Sequence, residues 1–241
     1  MAAPKIRMHV PDALHKGQTV HLTREQSHYL FGVMRLNPGD PVYIFNGRDG
    51  EWRAEVIETG RRGGMLSVRA ASGPQQLPPD LWLLFAPIKK ARTDFIVEKA
   101  TEMGAARILP VTTEFTNSER INRERLQQHA VEAAEQCGGT YVPDVADLAR
   151  LDRLLADWPS DRRLMFCDEA LVGARTSLMS APPAAKWAVL IGPEGGFSTP
   201  ERERLKSAPF VTPVSLGPRI LRADTAAVAA LTLWQSMLGD W

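Results

Sequence analysis

Two glycine-marked segments near the end of the chain hold the residue types best suited to chemistry. The first reads Ile-Gly-Pro-Glu-Gly-Gly-Phe at residues 191–197, and the second reads Leu-Gly-Pro-Arg-Ile-Leu-Arg-Ala-Asp-Thr at residues 216–225. Each follows an apolar strand-like run and precedes a helix-like run, and α/β proteins build ligand crevices from such loops at the carboxyl ends of their strands. Because glycine has no Cβ atom, the backbone can approach a ligand closely there. The two segments therefore predict one small-molecule site.

The first segment lacks the patterns of two common phosphate sites. It contains neither the Gly-x-Gly-x-x-Gly of a dinucleotide-binding loop nor the Gly-Lys-Ser/Thr of a P-loop. A ligand without phosphate fits better, although glycine spacing alone leaves open a pair of tight turns with no ligand. The expected ligand-binding residues are Leu190, Ile191, Gly192, Pro193, Glu194, Gly195, Gly196, Leu216, Gly217, Ile220 and Leu221.

Two carboxylates and two arginines accompany these segments. Glu194 lies in the first segment, and Arg219, Arg222 and Asp224 lie in the second. A positioned carboxylate can take a proton, and an arginine can stabilise an anion that forms beside it. We therefore expect Arg222, Asp224 and Glu194 to be the catalytic groups. Structural alternatives remain open, because Asp224 could cap a helix and Glu194 could accept hydrogen bonds from its own turn.

The elements that must hold these loops divide the chain into two regions. Residues 18–70 contain short β-like runs separated by glycine turns, which predicts a small barrel or sandwich with one helix at 23–36. A stretch rich in glycine and proline at 73–79 predicts a linker. After it, strands and helices alternate, which favours a parallel sheet with helices on both faces. The expected domains are residues 1–72 and 80–241.

Apolar periodicity and turn residues predict the individual elements. Strands are predicted at 18–22, 41–46, 51–58, 65–69, 81–87, 107–113, 164–167, 187–191 and 211–216. Helices are predicted at 93–103, 122–136 and 224–238. A further helix begins after residue 197, and it is capped either by Ser198 with Glu201 or by Thr199 with Pro200 in the first turn.

Several classes of protein do not fit the sequence. No apolar run approaches the ~20 residues that span a membrane, and the N-terminus has no signal-peptide pattern. The two cysteines, Cys137 and Cys167, form neither a disulfide framework nor a zinc motif, and no other spacing makes a metal site. We therefore expect a cytoplasmic protein with reduced thiols, without a metal and without a membrane partner.

The last predicted helix indicates a second subunit. From Thr225 to Gly239 the chain carries no charged residue, and apolar side chains wrap nearly the whole helix surface. A helix of this kind must be covered on more than one face. A partner subunit is one such cover and predicts a homodimer, whereas burial of the helix within one subunit is the alternative.

The two glycine segments together resemble the signature of the ribosomal small-subunit methyltransferase E family. The resemblance extends along most of the chain, including Arg35 and Gly39, residues 89–99 and residues 132–143. It implies an α/β fold, with a SPOUT-type parallel sheet that ends in a C-terminal trefoil knot and is preceded by a small PUA-like β-barrel domain that binds RNA. The chain departs from the family at Asp224, where glutamate is expected, and at 137–139, where a Ser-Gly-Arg-like stretch is expected.

The resemblance also implies a reaction and its partners. Members of this family use S-adenosyl-L-methionine to methylate N3 of a uridine in 16S rRNA of the small ribosomal subunit, and SPOUT relatives dimerise beside the cofactor pocket. Two other readings stay open: a SPOUT methyltransferase that acts on a different RNA atom, and a non-catalytic RNA-binding protein. Residues 1–72 have a modest basic bias, with ten basic and seven acidic residues, which agrees with RNA binding by this region. The expected RNA-binding residues are Arg7, Arg35, Lys89, Lys90, Arg92, Gln136 and Arg219.

Overall fold

The computed structural model describes residues 6–60, 63–118, 120–172, 178 and 184–241. The chain forms two compact units. Unit 1 comprises Met1–Leu77 and Ala134–Val142, and unit 2 comprises Pro78–Ala133 and Pro143–Trp241. Both glycine segments lie in unit 2.

Unit 1 is built on a five-stranded sheet in the order β1-β3-β4-β5-β2. Strands β1 and β3 pair in parallel and the other neighbours pair antiparallel. Alternate side chains of β3 and β4 are fully buried, as in Val42 and Ile44 followed by Ala54 and Val56, which places the core on one face of these strands. The strands are β1 Arg7–His9, β2 Thr19–His21, β3 Pro41–Phe45, β4 Glu51–Glu58 and β5 Met65–Gly73.

The helix predicted at 23–36 is shorter and less regular than expected. Helix α1 spans Arg24–Ser27, and a capping box between Thr23 and Gln26 begins it. A π-helical turn, His28–Val33, follows and ends with a hydrogen bond from the Met34 N–H to the Tyr29 carbonyl. Hydrophobic periodicity does not distinguish a π-helical turn from an α-helix over so few residues.

Unit 2 is an α/β unit with a wholly parallel seven-stranded sheet. Its strand order is β12-β10-β11-β6-β7-β8, with β9 beside β7. The strands are β6 Leu81–Phe85, β7 Arg107–Thr112, β8 Asp144–Val145, β9 Ala149–Arg150, β10 Arg162–Cys167, β11 Lys186–Ile191 and β12 Val211–Val214. The helices are α2 Lys90–Glu102, α3 Arg123–Cys137, whose last four residues belong to unit 1, α4 Leu151–Ala156, α5 Thr199–Ser207 and α6 Ala223–Leu238. The parallel α/β prediction is confirmed.

Two local features, the start of α5 and the packing of α6, determine where the site lies. Helix α5 begins at a capping box between Ser198 and Glu201, which confirms the first of the two predicted caps. Helix α6 packs against α2 and β11, with Ala227, Ala230 and Leu231 fully or almost fully buried. Because β10, β11 and β12 are parallel neighbours, their carboxyl ends meet at one edge of the sheet.

Over the described residues, no helix is both long enough and apolar enough to cross a membrane. The same residues contain no group of three or more His, Cys, Asp or Glu side chains arranged to hold a metal ion.

Candidate active site

One pocket opens at the carboxyl ends of β10, β11 and β12 and at the beginning of α6. Each strand contributes the segment that follows it, so three loops and one helix form the walls. The lining residues are Cys167, Asp168, Glu169, Val172, Ile191, Gly192, Pro193, Glu194, Gly196, Val214, Ser215, Leu216, Gly217, Arg219, Ile220, Leu221, Arg222, Ala223 and Ala226. The two glycine segments thus lie on one pocket, as their sequence pattern predicts.

Most of the predicted ligand-binding residues line this pocket, but two do not. Leu190 is fully buried within β11. Gly195 is exposed, and a Cβ atom there would lie 3.2 Å from Phe115 Cβ. Because side chains alternate between the two faces of a strand, the Leu190 side chain packs in the core, whereas Ile191, the last residue of β11, lines the pocket.

Two glycines of the first segment, Gly192 and Gly196, are required by packing within the protein. A Cβ atom at Gly192 would lie 2.5 Å from the Phe197 ring, which packs edge-on against Phe166 with ring centroids 5.0 Å apart. Gly196 has φ +71° and a Cβ atom there would overlap Glu169 Oε1. These two glycines shape the pocket wall whether or not a ligand is present.

Gly217, in the second segment, is different. Its φ is +111°, which L side chains rarely adopt, yet a Cβ atom there would meet no other atom within 4 Å. Gly217 also lines the pocket, so its backbone is part of the pocket wall. This position offers the close backbone approach that the sequence predicts for a bound small molecule.

The third wall of the pocket, residues 167–172, was missed by sequence reasoning. The Asp168 side chain is fully buried, caps a short 3-10 turn, and pairs with Arg202 Nε at 3.2 Å and Lys206 Nζ at 2.8 Å. Glu169 contacts Arg202 and accepts a hydrogen bond from the Phe197 N–H at 3.3 Å. Helix α5 thereby joins the first glycine segment to the third wall. A usable signal existed, because two acidic residues directly follow the apolar run at 164–167.

Arg92 connects the two carboxylates that were predicted to be catalytic. Its Nη1 lies 3.0 Å from Glu194 Oε1 and its Nε lies 3.6 Å from Asp224 Oδ2. Glu194 lines the pocket, whereas Asp224 lies just beside it in the first turn of α6. The alternative that Asp224 caps this helix is wrong, because Arg222 is the N-cap residue and Asp224 accepts from the neighbouring Thr225 N–H.

The four other candidate cations of unit 2, namely Lys89, Lys90, Arg219 and Arg222, are exposed. Arg219 and Arg222 line the pocket mouth, and Ile220 between them is 76% exposed. Lys89 and Lys90 begin helix α2, which has no side-chain cap and no acidic residue in its first turn. Cationic side chains at a helix N-terminus are unfavourable with respect to the helix dipole. An anion bound nearby would compensate this arrangement.

One predicted RNA-binding residue of unit 1, Arg7, is bound by other groups of that unit. Arg7 pairs with Glu51 at 2.7 Å and donates hydrogen bonds to the carbonyls of Ala134, Glu135 and Gly139, so its guanidinium is committed within unit 1. We therefore leave Arg7 out of the proposed RNA contacts.

Two other RNA candidates belong to unit 1 and have exposed side chains, namely Arg35 and Gln136. Arg35 also has φ +57°, the left-handed conformation that non-glycine residues seldom adopt. Such a conformation persists only when the surrounding structure determines it.

Cys167 lines the pocket, and its side chain is buried. Burial raises the pKa of its thiol far above the usual range, since desolvation penalises the thiolate. Because the thiolate is the nucleophilic form of cysteine, this side chain is suited to packing and not to nucleophilic attack.

Comparison with known proteins identifies both units by sequence. Residues 75–235 match the model of the RNA methyltransferase domain family, and residues 22–63 match the model of the RNA methyltransferase PUA domain family. The ribosomal RNA small subunit methyltransferase E of Synechocystis is 33% identical over 91% of this chain and 74% of its own length. The corresponding protein of Rickettsia conorii is 27% identical over 93% of each chain.

Solved structures resemble the whole chain. A Legionella pneumophila methyltransferase in complex with the cofactor S-adenosylmethionine superposes with a TM-score of 0.88, at 28% identity over 99% of this chain and 100% of that one. The ribosomal RNA small subunit methyltransferase E of Neisseria gonorrhoeae, bound to S-adenosylmethionine, gives 0.84 at 26% identity, with 98% and 99% covered.

Proposed function

Because the chain belongs to the ribosomal RNA small subunit methyltransferase E family, we propose that it transfers a methyl group from S-adenosylmethionine to N3 of a uridine in 16S rRNA. The observation that carries this proposal is the pocket at the ends of β10, β11 and β12, where both family-like glycine segments and two arginines meet. A non-catalytic RNA-binding protein would not need such a pocket.

The residues present fit S-adenosylmethionine. The open space beside Gly217 accommodates a ligand against the backbone, and the first glycine segment lacks phosphate-binding patterns, as suits a cofactor without phosphate. Backbone groups of residues 191–196 and 216–221 would hold the cofactor, with Glu169 on the third wall. When bound, S-adenosylmethionine supplies a methyl group activated by its sulfonium charge.

The chain's own residues prepare the nucleophile. Uracil N3 carries a proton, and its lone pair can accept a methyl group only after that proton has left. Glu194 lines the pocket and is the first candidate to accept the proton, while Asp224, held by the same arginine, is the second. Arg222 at the pocket mouth supplies a positive charge that stabilises the uracil anion.

RNA is the proposed macromolecular partner, in the form of 16S rRNA or the small ribosomal subunit. Because N3 lies on the Watson–Crick edge, the target uridine must be unpaired when it reacts. In unit 2, Lys89, Lys90 and Arg219 are exposed cations for RNA phosphates. In unit 1, we propose Arg35 and Gln136 as contacts.

The remaining expectations belong to the same proposal. We propose a cytoplasmic homodimer with domains at 1–72 and 80–241, and a C-terminal trefoil knot formed by the loops of the pocket. Helix α6 supplies the dimer contact, because its surface carries no charge from Thr225 onward and is only partly buried in one chain.

Nucleoside mass spectrometry of rRNA tests the reaction. In 16S rRNA from cells that lack this protein, 3-methyluridine should be absent at one position, and adding the purified protein with S-adenosylmethionine should restore it. A Gly217→Val variant, matched with Gly39→Val in unit 1, links the activity to the pocket, since both glycines have positive φ and open surroundings. Loss of a ribose-methylated nucleoside instead, or of a tRNA modification, would contradict the assignment.

A further inference from the structure

We propose that Arg92 is a positioning residue of the methyl-transfer site, which holds Glu194 in place for proton acceptance and does not bind RNA phosphate. This inference rests on the proposed function. It replaces the expectation, drawn from the sequence, that Arg92 belongs with Lys89 and Lys90 in an RNA-binding cluster.

The fold brings Arg92 to the site from a separate element. It lies in the first turn of α2, whose start is secured by Thr93 Oγ1, which binds both the N–H and the carbonyl of Ile88. The strand that leads into α2, β6, is the sheet neighbour of β11, the strand that leads to Glu194. Helix α6 packs on α2 and brings Asp224 to the same guanidinium.

The geometry favours positioning over phosphate binding. Two carboxylates, Glu194 of the first glycine segment and Asp224 of the first turn of α6, contact one guanidinium that is only 31% exposed. A phosphate would have to displace at least one of these anions and would meet the charge of the other. Lys89 and Lys90, by contrast, are exposed at the same helix end. Arg92 therefore carries the same charge as Lys89 and Lys90, but it contacts two carboxylates of the protein, whereas the two lysines are exposed.

The contacts also define what Arg92 does to Glu194. Its Nη1 binds one carboxylate oxygen, Oε1, and the described residues provide no hydrogen bond to the other, Oε2. A planar guanidinium fixes the orientation of a carboxylate better than an ammonium group does. Arg92 thus holds one oxygen and leaves the other available to the pocket.

A double-mutant cycle tests this role. We expect Arg92→Gln to lower kcat about tenfold to a hundredfold, as misplacing a reacting group does. The KM for rRNA, the Kd for S-adenosylmethionine and the salt dependence of RNA binding should stay unchanged. In a Glu194→Ala background, the same Arg92 substitution should cause little further loss, because the group that it positions is gone. Arg92→Lys should recover part of kcat.

The matched control is a surface arginine of unit 2 whose loss should not affect the reaction. Arg150→Gln breaks an exposed arginine–aspartate pair in the same unit and should leave kcat unchanged. If Arg92 binds RNA phosphate instead, Arg92→Gln will raise the rRNA KM, reduce the salt slope by about one, and add to Glu194→Ala. That result overturns this inference and leaves the proposed function intact, whereas an inactive wild-type protein overturns both. Thermal unfolding of each variant identifies any that fail to fold.

Discussion

The carboxylate of Glu169 occupies the space that a Cβ atom on Gly196 would need. Gly196 has φ +71°, and an added Cβ would overlap Glu169 Oε1, which also accepts the Phe197 N–H at 3.3 Å. The first glycine segment and the third wall of the pocket therefore fit together at one point. Arg202 of α5 contacts the same carboxylate, so this point links three elements.

Gly196→Ala should both destabilise the protein and weaken cofactor binding. The left-handed backbone contributes about 1–2 kcal/mol of destabilisation, and displacement of Glu169 adds to it. Gly47→Ala is the matched control, since Gly47 has φ +80° with open space around it, and should show the backbone effect alone. Urea unfolding and calorimetry with S-adenosylmethionine measure the two effects. If adding Glu169→Ala to Gly196→Ala recovers no stability, the overlap is not the cause.

Gly217→Val should weaken S-adenosylmethionine binding at least tenfold, because a branched side chain on the pocket wall would hinder close approach of the cofactor to the backbone. Gly39→Val, with φ +95° and open surroundings in unit 1, should share the backbone strain and retain affinity. Gly195→Val should have a smaller effect on affinity than Gly217→Val, since Gly195 lies outside the pocket lining. Calorimetry ranks the three variants, and equal affinities for Gly217→Val and wild type would remove this loop from the site.

Lys206→Met should destabilise the protein by about 1–3 kcal/mol, because it removes a partner from a carboxylate that is fully buried. Lys186→Met is a close control: Lys186 is as exposed as Lys206, but its partner Asp161 is 59% exposed. Exposed pairs contribute about 0–1 kcal/mol, so this control should unfold almost like the wild type. Urea unfolding decides the matter, and equal losses in the two variants would argue against a structural role for the buried pair.

The two cysteines should differ sharply in reactivity. Cys137 is exposed, whereas Cys167 is buried and burial raises the pKa of its thiol. Iodoacetamide at neutral pH should therefore label Cys137 first and leave Cys167 largely unmodified in the folded protein. Peptide mass spectrometry measures both sites, and labelling in urea should make the difference disappear. Equal rates in the folded protein would contradict the closed packing around Cys167.

Sedimentation equilibrium should give about twice the chain mass of 26.6 kDa at micromolar concentration. The outward face of α6 carries Ala229 and Thr232, which are half-buried, and Ser236, which is exposed. Thr232→Arg places a charge on that face and should shift the protein to the monomer. Glu203→Arg, at an exposed position on α5, should not. A wild-type mass near that of one chain would rule out the homodimer.

The sequence by itself determined the features that depend on neighbouring residues. The alternation of Glu51–Glu58 predicts β4 with its observed ends, and Ser198 with Glu201 predicts the start of α5. The glycines of residues 191–197 and 216–225 predict a pocket at strand ends. In each case the physical cause, namely side-chain alternation, a cap or a permitted φ, acts within a few residues of chain.

The tertiary structure alone decided which distant groups meet. Arg92 and Glu194 are 102 residues apart, and only the adjacency of β6 and β11 brings them together. In the same way, the third wall at Asp168 became part of the site because β10 lies between β11 and β12. Strand order depends on burying the whole sheet and not on any local pattern. Sequence reasoning could therefore identify both carboxylates as catalytic candidates, but it assigned Arg92, the arginine that joins them, to RNA binding.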